Sequence, residues 1–75
     1  MSIIPIVTAT RLLFALKKAG FIVLRQKGSH IRLWHPVTRR ATTIAMHTGE
    51  MTKKMIFTVL KQAGVSLRQF IGFLR

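Results

Sequence analysis

The residues able to do chemistry gather in one stretch, Arg25-Gln26-Lys27-Gly28-Ser29-His30-Ile31-Arg32. A glycine turn there carries a single histidine among three cations. Histidine exchanges protons near neutral pH, and RNA brings its own nucleophile, the 2′-hydroxyl. Cutting RNA therefore needs only a positioned base or acid and cations on the phosphate. His30 with Arg25, Lys27 and Arg32 meets that minimum, with Gly28 and Ser29 forming the turn. The plainer reading of His30 is a turn histidine that hydrogen-bonds or stacks. Trp34 follows shortly and can stack on an unpaired base, while phosphate neutralisation by the cations is sequence-independent and salt-sensitive.

Other chemistries are poorly supplied. Glu50 is the only acid in the chain, so neither paired carboxylates nor a Ser/His/Asp set can be built, and no glycine-rich nucleotide loop occurs. Cysteine is absent, which removes disulfides, thiol nucleophiles and thiolate metal sites and is compatible with a reducing cytoplasm. His35 and His47 read as strand-end residues that bond backbone groups. A zinc site made from all three histidines is opposed by the cations nearby, and no metal or other cofactor is expected.

Charge bounds the partners. Thirteen Lys and Arg face that one acid, for a formal net charge of +12. Internal ion pairs cannot absorb such an excess, so the chain seeks a polyanion: nucleic acid, an anionic membrane or an acidic protein. The start, Met1-Ser2-Ile3-Ile4-Pro5-Ile6-Val7, is apolar but short, broken by proline and without a leading cation, which makes a poor signal peptide. No run approaches the roughly 18–20 apolar residues that span a bilayer. A soluble, cytoplasmic protein is expected, without a membrane partner.

The elements that must position the hairpin follow from periodicity. Seventy-five residues make one small domain, read as an extension over residues 1–7 and a core over residues 8–74. Thr8 or Thr10 caps a helix whose Leu12, Leu13, Leu16 and Ala19 share a face, and Gly20 ends it. Phe21-Ile22-Val23-Leu24-Arg25-Gln26 suits a strand. From His30 to His35 the pattern alternates, sending Ile31 and Leu33 to the core and His30, Arg32 and Trp34 to an open face. Pro36-Val37-Thr38-Arg39-Arg40 is a second, basic turn, and residues 42–47 a third strand. After a Thr48-Gly49-Glu50-Met51 connection, Thr52 caps a helix carrying Met55, Ile56, Val59, Leu60 and Ala63, which ends at Gly64. Ser66 caps a short last helix with Leu67, Phe70, Ile71 and Leu74. The class is α+β, a three-stranded antiparallel sheet with helices over one face.

Phe14 and Phe57 fall off the apolar faces of their helices, beside Lys18 and beside Lys53 and Lys61. They read either as ordinary exposed aromatics or as anchors for an acidic partner with an apolar patch.

Leu16-Lys17-Lys18-Ala19-Gly20-Phe21 followed by Arg25-Gln26-Lys27-Gly28-Ser29-His30 resembles the HicA toxins of prokaryotic toxin–antitoxin systems. The likeness continues through His35-Pro36, Thr43-Ile44-Ala45-Met46-His47 and Leu60-Lys61-Gln62-Ala63-Gly64-Val65-Ser66, covering roughly residues 8–74. It implies a fold like a double-stranded RNA-binding domain, in α-β-β-β-α order with a short C-terminal helix. It also implies a metal-independent endoribonuclease that cuts mRNA and is neutralised by a HicB-type antitoxin. The catalytic histidine of the family falls on His30, in a turn shaped by Gly28 and Ser29. Ala45 departs from a frequent proline, Lys54 from a frequent glycine and Phe57 from a basic or polar residue, and the second turn lacks the usual Asp-Gly. None of these touches Gly28-Ser29-His30. The alternatives are a non-catalytic RNA- or DNA-binding module with the same surface, and an amphipathic membrane-active peptide structured only with lipid.

Overall fold

The computed structural model describes residues 5–46 and 50–75. His47, the Thr48-Gly49 part of the connection and residues 1–4 of the extension lie outside them. The elements are α1 (Ala9–Lys18), β1 (Ile22–Lys27), β2 (His30–Trp34), β3 (Ala41–Ala45), α2 (Lys53–Ala63) and α3 (Leu67–Phe73). The strands form one antiparallel sheet in the order β1-β2-β3. The expected α+β order is the one observed. Among the described residues, no helix is long and apolar enough to cross a membrane.

Each helix starts where a hydroxyl can replace a missing backbone partner. The side chains of Thr8 and Thr52 accept from the N–H groups of Arg11 and Met55, each at 3.2 Å. Ser66 and Gln69 form a reciprocal capping box at α3. Val7 O accepts from Met51 N–H at 2.9 Å and Thr8 pairs with Glu50, so the chain leading into α1 is tied to the chain leading into α2.

α1 and α2 stop in the same way. Phe21 N–H reaches Leu16 O and Gly20 N–H reaches Lys17 O; Val65 and Gly64 repeat this on Leu60 and Lys61. Both are Schellman endings, in which a left-handed residue lets the chain reverse and satisfy the last carbonyls. Phe21, expected in the first strand, instead closes this motif and buries its ring, and β1 begins one residue later.

Leu12 and Leu16 from α1, Ile56 and Leu60 from α2, and Phe70 from α3 meet Ile31, Leu33 and Ile44 on one sheet face. Thr42 is also buried there, its hydroxyl donating to Gln62 Oε1 at 2.8 Å. Alternation on β2 thus sorts the faces as expected. β1 does not follow it: Ile22, Val23 and Leu24 are all exposed, because this strand is an edge beyond the reach of the helices.

His35 pins the sheet to the end of α1. Its Nδ1 accepts from the N–H groups of Val37 and Thr38, which places the ring proton on Nε2, donating to Ala19 O at 3.0 Å. This is the backbone-bonding role expected of a strand-end histidine. Phe21 meets the ring edge-on, centroids 5.1 Å apart. Gly20, at φ 105°, leaves no room between them: a Cβ there would lie 2.7 Å from His35 Nε2. Gly20→Ala is therefore expected to cost about 2–4 kcal/mol, adding left-handed strain to a displaced hydrogen bond. Gly28→Ala, at φ 59° with open space around the new carbon, should cost only about 1–2 kcal/mol. Urea unfolding of the two variants checks the difference, and equal losses would refute the steric account.

Candidate nucleic-acid interface

The turn between β1 and β2 sets the site. It has two residues, Gly28 and Ser29, with positive φ at Gly28 alone, the φ pattern of a type II′ hairpin. So short a turn makes the register compulsory. Lys27 pairs directly with His30, Gln26 with Ile31 and Arg25 with Arg32. On β3, Ala45 pairs with His30, Thr43 with Arg32 and Ala41 with Trp34.

Directly paired residues share a face, with Cβ atoms about 4.5–5.5 Å apart. The sheet face away from the helices therefore carries three rows. The first is Lys27-His30-Ala45, the second Arg25-Arg32-Thr43 and the third Ile22-Trp34-Ala41. The four expected residues, Arg25, Lys27, His30 and Arg32, are adjacent and exposed at the hairpin end. Because Val23 pairs with Leu33 and Arg25 with Arg32, Leu24 has no partner and forms a bulge. That extra residue lets Ile22 share a face with Arg25 despite an odd spacing in sequence.

Trp34 is on the same face but not beside the histidine. Four residues along a strand separate them by roughly 13 Å, and Trp34 is half-buried between Ile22 and Ala41. It stands at the far end, where it would meet a base several nucleotides away or none.

Thr43 was not singled out in the sequence, yet its Oγ1 accepts from Arg32 Nη1 at 3.3 Å. The bond steers the guanidinium along its row. Only the register across the second turn reveals that partnership. In that turn Arg39 stands at φ 63°, a position that favours glycine.

Phe14 and Phe57 are exposed, at 43% and 60% of their surface. Arg11 and Lys18 lie over the Phe14 ring, 5.5 Å and 4.7 Å from its centroid. Both cations also reach the C-terminal end of the chain, Arg11 to Leu74 O and Lys18 to Arg75 O. Lys53 and Lys61 are one helical turn either side of Phe57. Among the described residues there is no group of three or more side chains able to hold a metal ion.

A protein-family model described as the HicA toxin of bacterial toxin–antitoxin systems matches residues 10–65, from the first turn of α1 through the Schellman ending of α2. No curated protein matches the chain.

Proposed function

We propose that this chain, which belongs to the HicA toxin family of bacterial toxin–antitoxin systems, is an endoribonuclease that cuts mRNA in the cytoplasm without a metal. The observation that supports this most is the pair of adjacent rows on the open face, which sets exposed His30 beside Lys27 and next to Arg25 and Arg32. The 2′-hydroxyl of a bound nucleotide attacks the neighbouring phosphorus as its proton leaves. The bond to the 5′-oxygen breaks, that oxygen takes a proton, and a cyclic phosphate remains. Arg25, Lys27 and Arg32 hold the phosphate oxygens, where charge builds up in the transition state.

His30 serves one of the two proton transfers as general base or general acid. His35 is not available for the other, since its Nε2 is engaged with Ala19 O at the end of α1 and its Nδ1 with the N–H groups of Val37 and Thr38 in the second turn. The second transfer falls to Lys27, which pairs with His30, to His47 or to water. Incubating purified protein with RNA in excess EDTA tests the reading. Cleavage is expected; binding without cleavage would leave a non-catalytic RNA- or DNA-binding module.

A family toxin has an antitoxin, and here we take it to be of HicB type. With thirteen cations against one acid, it must be acidic where it meets this chain. Phe14 and Phe57, each flanked by cations, would serve it as apolar anchors.

A further inference from the structure

Among the described residues the sheet has two free edges, and they differ in how they are protected. β1 is bulged at Leu24 and carries Arg25 and Lys27, the devices that keep an edge from pairing with another chain. β3 pairs with β2 without a bulge from Ala41 to Ala45. Its outward backbone groups can be identified. Met46 N–H donates to Ser29 O at 2.6 Å, and His35 N–H to Arg40 O at 2.9 Å. Hydrogen-bonded pairs alternate along an antiparallel ladder, so Thr42 and Ile44 also turn toward β2. Ala41, Thr43 and Ala45 then direct their N–H and C=O groups away from the sheet. None of the three is charged or a proline.

Alongside this edge, between β3 and α2, lies a groove of about 650 Å³. Met51 and Met55 give it an apolar wall, Ala41 and Ala45 leave it open on the strand side, and Arg32 and Lys54 supply positive charge. We propose that an extended segment of an acidic protein partner, alternating apolar and acidic side chains, adds to β3 as a fourth strand. Its backbone would satisfy the free groups of Ala41, Thr43 and Ala45. Alternate side chains would enter the groove against Met51 and Met55, and those between would fall on the open-face side.

Charge selects the occupant. The two groove cations and an overall charge of +12 favour carboxylates and reject a basic strand. A carboxylate beside Thr43 extends the Arg25-Arg32-Thr43 row and draws Arg32 away from phosphate. Strand addition thereby competes with RNA for Arg32. The docking itself does not depend on catalysis; only the partner's identity as the antitoxin and the competition with RNA rest on the function proposed above.

The test is amide NMR of the whole chain titrated with an end-blocked peptide of alternating Glu and Val. Saturable shifts and slowed exchange at the amides of Ala41, Thr43 and Ala45 are expected, and alternate N-methylation of the peptide should abolish them. Lys54→Glu should weaken binding about tenfold, as should Ala45→Pro, which removes an outward donor but no bond within the sheet. Should Ala45→Pro fail to fold, Lys54→Glu decides alone. Shifts centred on β1 or the hairpin, or unchanged affinity in Lys54→Glu, would overturn the proposal. So would a 2′-O-methyl RNA oligonucleotide that slows exchange at the same three amides, because the edge itself, and not only the open face beside it, would then be an RNA subsite. Inert RNA with an intact peptide response would count against the ribonuclease reading alone.

Discussion

His30→Ala is expected to lower RNA cleavage by about a hundred- to ten-thousand-fold, the usual contribution of a positioned proton-transfer group. His30 is exposed at the start of β2, and its place in the sheet is fixed by backbone pairing with Lys27 and Ala45, which alanine keeps. Stability should therefore move by no more than about 0.5 kcal/mol, and the far-UV spectrum should not change. The cations remain in place, so RNA affinity should also be largely retained. Removing Arg25, Lys27 and Arg32 together should do the reverse and weaken binding first. If each neutralises one phosphate of a single strand, the slope of log affinity against log salt should become shallower by about 2. Cleavage assays and salt titrations on the two variants separate proton transfer from phosphate holding. A folded His30→Ala protein that cuts RNA at the wild-type rate would remove His30 from the mechanism.

The face that carries His30 was legible in the sequence because β2 alternates cleanly and its apolar members, Ile31 and Leu33, are buried. The helix ends were legible for a different reason: hydroxyl caps and left-handed glycines act locally, within a few residues of where they stand. β1 was not legible in the same way. Phe21 to Gln26 read only as a strand, with no alternation to assign its faces, yet the two-residue turn fixes Lys27 opposite His30, and the odd residue must be absorbed as a bulge on an open edge. Thr43 and the groove beside β3 depend on how distant segments are brought together, on the second turn in one case and on the packing of α2 in the other. Local chemistry does not encode those distances. The candidate site was accordingly readable where a tight turn dictates neighbours and unreadable where only tertiary packing does.

Phe70→Ala should be the most damaging single change to the fold. Phe70 is fully buried, and α3 brings it against α1. Truncating a buried Phe costs about 3–5 kcal/mol in transfer energy and residual cavity. A chain of this size has a total stability of only about 4–11 kcal/mol, so between about a quarter and all of it would be lost, with a fall in Tm of roughly 20–30 °C. Phe57→Ala makes the same chemical change at an exposed position on α2 and should shift stability by no more than about 0.5 kcal/mol. The contrast is informative because Phe70 lies beyond residues 10–65, the part that matches the family model. The hairpin is held by a core that α3 completes, so a chain ended after Val65 would keep every proposed site residue and still lose its platform. Thermal melts of the two alanine variants decide it. A Phe70→Ala protein melting within a few degrees of wild type would mean that α1, α2 and the sheet close the core without α3.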